Sequence, residues 1–146
     1  MYIKDEQLLR LKNILIKMAH LAEDAIHNAV KSLIEKDLDL AQSVIDNDKI
    51  INSYDVYIDE ECIRTLARRQ PVGSDLRFIT TAMKITTDIE RIGDHALNIA
   101  RTSLELCPID KIQLHDYIIW MKDLAIWMVR EAVLSFSTED RALAMD

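Results

Sequence analysis

Leu8, Leu11, Leu15, Met18, Ala22, Ala25 and Ala29 follow one another at spacings of three and four, a rhythm that no strand can use. A strand changes face at every residue, whereas steps of three and four return a side chain to the same face of a 3.6-residue helix. The stretch from about residue 5 to 35 therefore predicts one long helix with a single apolar seam. Alanines narrow its second half, so that a neighbouring helix can come close. The 146 residues hold only two glycines and two prolines, too few for the turns of a sheet. The expected class is all-α, with enough chain for one core and part of another.

Two further helices are expected. Asp37 can cap a second, in which Val44, Ile51, Tyr54, Ile58, Cys62 and Thr65 share a face. It must stop before Pro71, because the residue preceding proline is pushed out of the α region. Gly73 supplies a turn, and Ser74 is the expected N-cap of a third helix that runs to about Leu106, ahead of Pro108. Short connections make an antiparallel up-down-up bundle the simplest packing.

A fourth helix is predicted from Asp110 to Phe136, with Leu114, Tyr117, Met121, Leu124, Met128 and Ala132 as its seam. Residues 29–41 (AVKSLIEKDLDLA) align with 132–144 (AVLSFSTEDRALA), which suggests that a second copy of the bundle begins at helix four. The expected organisation is a first three-helix bundle over 1–107 and a partial second repeat over 108–146, made of helix four and the start of helix five. The exposed seam of helix four would then need a partner.

Charge narrows the function. Twenty-five acidic and eighteen basic residues give a formal charge of −7, which argues against nucleic acid and anionic membrane surfaces and suits cations or basic proteins. The charged amino terminus, MYIKDEQLLRLK, lacks a signal peptide's apolar centre, and no uncharged run approaches a membrane span. A cytoplasmic location is expected. Cys62 and Cys107 stand apart from any Cys/His cluster, so neither a disulfide framework nor a structural zinc site is supported.

One part of the third helix resists explanation by packing. In TTDIERIGDHALNIA, residues 86–100, Glu90 and Asp94 repeat a like charge one turn apart and Gly93 sits between them. Each feature costs helix stability, roughly 1 kcal/mol for the glycine and a few tenths for the charges. On the second helix, Asp48, Asn52, Asp55 and Asp59 form one stripe beside the apolar face. A hairpin pivoting between Val72 and Gly73 brings Asp55 level with Glu90, Asn52 near Asp94 and Asp59 level with Thr86. Oxygen ligands on facing helices suit hard or borderline ions such as Mg²⁺, Mn²⁺ and iron, and carboxylates also accept Zn²⁺. From spacing alone a solvated acidic face is the plainer account. Gly93 serves either a close helix approach or the clearance of room beside an ion.

The same residues carry a family resemblance. RRQPVGSDLRFITTAMKITTDIERIGDHALNIAR, residues 68–101, resembles the signature of the PhoU family, and DNDKIINSYDVYIDEECIRTLARRQP, residues 46–71, resembles the helix before it. The resemblance implies two similar three-helix bundles, each with Glu/Asp-x-x-x-Asp motifs that hold metal ions. Carried onto this chain the motifs are Asp55 with Asp59 and Glu90 with Asp94, with Asp48 and Asn52 as additional candidates. It also implies negative regulation of phosphate uptake, through the ATP-binding subunit of the phosphate ABC transporter and the sensor histidine kinase of the phosphate regulon. The second repeat's acidic counterparts are absent, so one metal site is expected. A homodimer formed by helix exchange could complete the missing helices.

Two other readings compete. A ferritin-like di-iron enzyme needs Glu-x-x-His on two helices, and only Asp24 with His27 approaches that spacing. No nucleophile elbow or phosphate-cradling loop is present, so no enzymatic activity is expected. A plain helical scaffold would leave the stripe without metal. Arg64, Arg68, Arg69 and Arg77 gather around Pro71 and could meet a partner or an anion, although capping the helix end and pairing with Asp75 accounts for them more simply.

Overall fold

A computed structural model of the chain describes residues 5–109, 113–139 and 144–145. Four long helices follow in order: α1 (Asp5–Glu35), α2 (Leu38–Arg69), α3 (Gly73–Leu106) and α4 (Tyr117–Thr138). The first three form the expected up-down-up bundle. The α1 seam closes on both partners, with Leu15, Met18, Ala22 and Ala29 essentially sealed from solvent. Burying each larger apolar side chain contributes about 1.5–3 kcal/mol. Near the start of α1 the core is bulky, with Ile58, Phe78 and Ile79. Toward its end the core is built from Ala29, Ala41, Ala96 and Ala100, so the helices are drawn together there.

The helix ends follow local chemistry. Lys36 takes a left-handed φ of 54°, and the Asp37 carboxylate then accepts a 3.0 Å bond from the Leu40 N–H, satisfying a first-turn donor. Gln70, also left-handed, ends α2 by donating its N–H to the Leu66 carbonyl. Ser74 does not cap α3. Val72 is the extended N-cap residue, without a side-chain bond, and Gly73 turns the chain at φ 61°. The helix has already begun at Gly73, which leaves Ser74 inside the first turn.

The fourth helix departs from expectation in two ways. It starts at Tyr117, not at Asp110, which itself lies outside the described residues. The Tyr117 N–H donates to His115 Nδ1 at 3.2 Å, so His115 takes up one of the orphan donors of the first turn. The seam also points away from the bundle: Tyr117, Met121, Leu124 and Met128 are exposed. Instead α4 rests on the bundle through Val129, Val133 and Phe136, and Phe136 stacks on Phe78 at 4.9 Å between ring centres. The α1 seam, with which helix four was aligned, is covered by α2 and α3. Among the described residues α4 has no such neighbours, and it docks by the side that carries Val129, Val133 and Phe136, about a quarter turn round the helix from the seam. Between α3 and α4 this leaves an apolar groove of about 500 Å³, lined by Ile85, Ile92, Ile99 and Met128. Of the expected start of helix five, residues 140–143 and 146 lie outside the described set, while Ala144 and Met145 are helical.

Candidate functional site

The hairpin of α2 and α3 sets the site. The residues of α2 that face the core, Val44, Ile51, Ile58 and Cys62, are buried, which fixes the rotation of the helix and leaves its acidic stripe at the edge of the α3 contact. On α3, Thr86, Ile89, Gly93 and Ala96 are buried in the same way. Gly93 lies against α2, close to Ile51 and the Asp48 carboxylate. Asp48, Asp55, Glu90 and Asp94 are half-buried, while Asn52 and Asp59 are exposed.

These acids share one electrostatic neighbourhood. Burial, followed by the hydrogen bond and charge of Asp94 and the charges of Asp55 and Asp48, raises the Glu90 carboxyl above its ordinary value. Asp48 is raised by burial and by Asp94, against the lowering effects of its Asn52 hydrogen bond and of Arg101. The Asn52 amide donates to Asp48 Oδ2 at 3.2 Å. Asp55 is raised by burial and then by Asp59. Asp55 thus comes to Glu90, as the sequence predicts, whereas the residue of α2 that acts on Asp94 is Asp48, one turn away from the expected Asn52. Asp59 acts on Asp55 and Cys62 of its own helix. The hydroxyl of Thr86, the residue expected level with Asp59, is already bonded to the Ala82 carbonyl at 2.7 Å.

Chemically the stripe is a set of oxygen donors with mutual repulsion. Such a set suits a hard cation, which would offset the repulsion. Its geometry is open: among the described residues no three His, Cys, Asp or Glu side chains converge closely enough to form a metal-binding group. A bound ion would need these surface carboxylates to turn toward it.

The arginines around Pro71 sit in different local settings. Arg64 pairs with Glu61 on its own helix. Arg68 and Arg69 occupy the last turn of α2, where cations favour the helix dipole, and Arg69 and Asp75 each have a polar partner. Arg77 borders a hollow beside the Phe78–Phe136 stack.

Two features escaped the sequence reading. A pocket of about 180 Å³ opens between α1 and α2 beside Gly93, lined by Asp24, Asn28, Ser43, Asn47 and Asp48. The adjacent pair Asn47–Asp48 was its only signal. The other is Glu23, whose side chain is 6% exposed and which accepts a 3.2 Å bond from Arg130 Nε of α4. His20 Nδ1 lies 3.5 Å away from the same carboxylate. Nothing short of the placement of α4 could reveal that pair. Asp24 and His27 are both exposed.

Fold and face together define an all-α bundle protein with an acidic seam between its second and third helices. The family model described as the PhoU domain matches residues 15–103. The chain belongs to the PhoU family. It is 40% identical over 144 residues to the phosphate-specific transport system accessory protein PhoU homolog of Pseudomonas putida, covering 95% of this chain and 55% of that protein. To the homolog of Aquifex aeolicus it is 37% identical over 139 residues, covering 95% and 63%. The crystal structure of PhoU from Pseudomonas aeruginosa superposes with a TM-score of 0.92 at 38% identity, covering 98% of this chain and 69% of that one. The chain thus spans little more than half the length of the P. putida relative. No helix of the described residues is long and apolar enough to cross a membrane.

Proposed function

We propose that this chain is a non-enzymatic accessory protein of phosphate-specific transport, acting as a negative regulator of phosphate uptake and of phosphate-regulon signalling in the cytoplasm. Its targets are the ATP-binding subunit of the phosphate ABC transporter and the sensor histidine kinase, and it acts as a homodimer. The observation that carries this reading is membership of a family whose curated relatives are named as accessory proteins of that transport system. The first repeat occupies 1–107, and 108–146 begins a second.

The stripe supplies the binding chemistry. Asp55, Asp59, Glu90 and Asp94, with Asp48 and Asn52 beside them, hold a divalent or trivalent cation (Mg, Mn, Fe or Zn), which offsets their repulsion and ties α2 to α3. The raised Glu90, Asp48 and Asp55 support this, because acids pressed together are a place where a cation lowers the free energy. A scaffold that binds no metal is the second reading. It is favoured by the lack of any converged three-ligand group among the described residues.

The test is an affinity capture from a phosphate-replete bacterial membrane extract with the chain as bait, run with chelator and with Mn²⁺. Recovery of the transporter ATPase or the sensor kinase is expected, stronger with metal. Recovery of neither overturns the regulatory reading, and equal recovery in both conditions favours the scaffold.

A further inference from the structure

Two rows of side chains border the seam between α2 and α3. On α2, Asn52, Val56, Asp59, Ile63, Leu66 and Gln70 follow at alternating spacings of four and three, and on α3, Leu76, Thr80, Met83, Thr87, Glu90 and Asp94 do the same. Each row therefore keeps to one face of its helix. Away from the turn at Pro71 the rows run into the acidic site. Toward the turn the charge disappears: no member from Ile63 to Gln70, or from Leu76 to Thr87, is ionisable. Ile63 is 53% exposed and Leu76 39%, while Leu66 and Met83 are half-buried against the core. Thr80 and Thr87 are exposed, but their hydroxyls donate to the Leu76 and Met83 carbonyls at 3.1 and 3.2 Å, so their protons are spent within α3.

This strip from Leu76 to Thr87 is about 16 Å long, or about three helical turns. It is not the face that α4 uses, since α4 lies along the other side of α3, beside Ile85 and Ile92. A shallow apolar seam between two helices fits a third. The charges beside it say which kind. Arg77, Lys84 and Arg91 recur every seven residues and all are exposed, so they line one outward edge of α3 beside the strip. Arg91 has Asp88 at 3.9 Å, and both are largely in water, where such a pair is weak. Over residues 62–87 five basic side chains accompany a single acidic one, in a chain whose formal charge is −7. The α2 edge is mixed, with Glu60 and Arg64, and selects no sign. Asp59 and Glu90 bound the strip with negative charge, which repels an acidic visitor and fixes where it stops.

We infer that the uncharged half of the α2–α3 seam is a docking strip for an amphipathic helix of a partner protein, whose apolar ridge seats on Ile63, Leu76 and Met83 and whose acidic edge lies along Lys84, between Arg77 and Arg91. This rests on the regulatory reading above and gives its partner a place and a chemistry.

The test repeats the capture from a phosphate-replete membrane extract with variants of the 146-residue chain, scoring the transporter ATPase and the sensor kinase. Ile63→Ser and Lys84→Glu should each lower recovery about tenfold with circular dichroism unchanged, and Lys84→Arg should keep it. Tyr57→Ser, exposed on the far side of α2, should have no effect. With p-benzoylphenylalanine placed at position 76, light should join the chain to the retained protein within a segment that is apolar at three-and-four spacing and acidic beside it. Recovery of neither protein by the parent chain overturns the regulatory reading and this strip together. Recovery that ignores Ile63→Ser or Lys84→Glu, or an adduct at position 76 with a basic segment, overturns the strip alone.

Discussion

Gly93 and Ile51 mark a close approach of α3 to α2: a Cβ on Gly93 would stand 3.3 Å from both Cδ1 and Cγ2 of Ile51, and 3.7 Å from Oδ1 of Asp48. Ile51 is 4% exposed and held in the core, so it has little room to withdraw. Gly93→Ala gains up to about 1 kcal/mol in helix propensity, whereas overpacking a well-filled core costs about 1–3 kcal/mol. The expected net result is a loss of about 1 kcal/mol, read from urea unfolding. A variant more stable than the parent would show that the approach is slack and that the glycine has no packing reason.

The double variant Asp55→Asn, Glu90→Gln should separate metal binding from folding. Without metal it should match the parent in helicity and gain about 0.5 kcal/mol, since like charges on neighbouring turns or helices cost a few tenths each. With Mn²⁺ the parent should melt at a higher temperature and the variant should not move. An equal shift in both proteins would place the ion elsewhere.

The pH dependence has a definite sign. Asp48, Asp55 and Glu90 are all held above their ordinary values of 3.8, 3.8 and 4.5. Between those values and the raised ones, the folded chain binds more protons than the unfolded chain, so stability falls as pH rises through that window. The contribution is complete below the unfolded values and lost above the folded ones. In chelator the urea midpoint should therefore fall from mildly acid toward neutral pH, and the fall should be shallower in Asp48→Asn. A metal ion should oppose the loss at the neutral end, where the carboxylates are charged.

Removing Arg130 should loosen α4 more than the bundle. Arg130→Met leaves the buried Glu23 carboxylate with His20 as its remaining ion partner among the described residues, and an unsatisfied buried group costs about 1–3 kcal/mol. Amide hydrogen exchange should accelerate along α4 while the protected core of α1 and α3 keeps its rate. Uniform acceleration of all four helices would mean that α4 is integral to the cooperative unit.

The two thiols should differ sharply. Burial, with the charges of Asp59 and Glu61, pushes the Cys62 thiol up to about 11, so it presents almost no thiolate near neutral pH. Cys107 is only half-buried, its thiol near the Lys36 carbonyl at 3.7 Å. A thiol reagent should label Cys107 in the native protein and Cys62 only after unfolding. Labelling of both at similar rates would contradict the core assignment of α2.

The three-helix bundle was legible in the sequence because its seams and breakers agree. The α1 spacing, the Asp37 cap and the Pro71–Gly73 turn each point to the same boundaries, and one hairpin pivot was enough to bring Asp55 level with Glu90. Helix α4 was not legible, because it is apolar on more than one side: Met121 and Met128 keep as good a helical rhythm as Val129 and Val133. Periodicity cannot choose between two apolar faces. The choice was made by Ile26, Phe78 and Glu23, which lie far away in sequence and close in space. Nor could spacing show whether the carboxylates converge, because that depends on side-chain rotation at half-exposed positions.

Both tryptophans of the chain, Trp120 and Trp127, stand on the outward side of α4. Indole emission from this protein is therefore blind to the interior of the bundle formed by α1, α2 and α3, and reports what happens over one helix. Far-ultraviolet ellipticity follows all four helices together, so the difference between the two signals during a titration is itself a measurement. A blue shift without a change in ellipticity would record something settling on α4, and would need no label to do so.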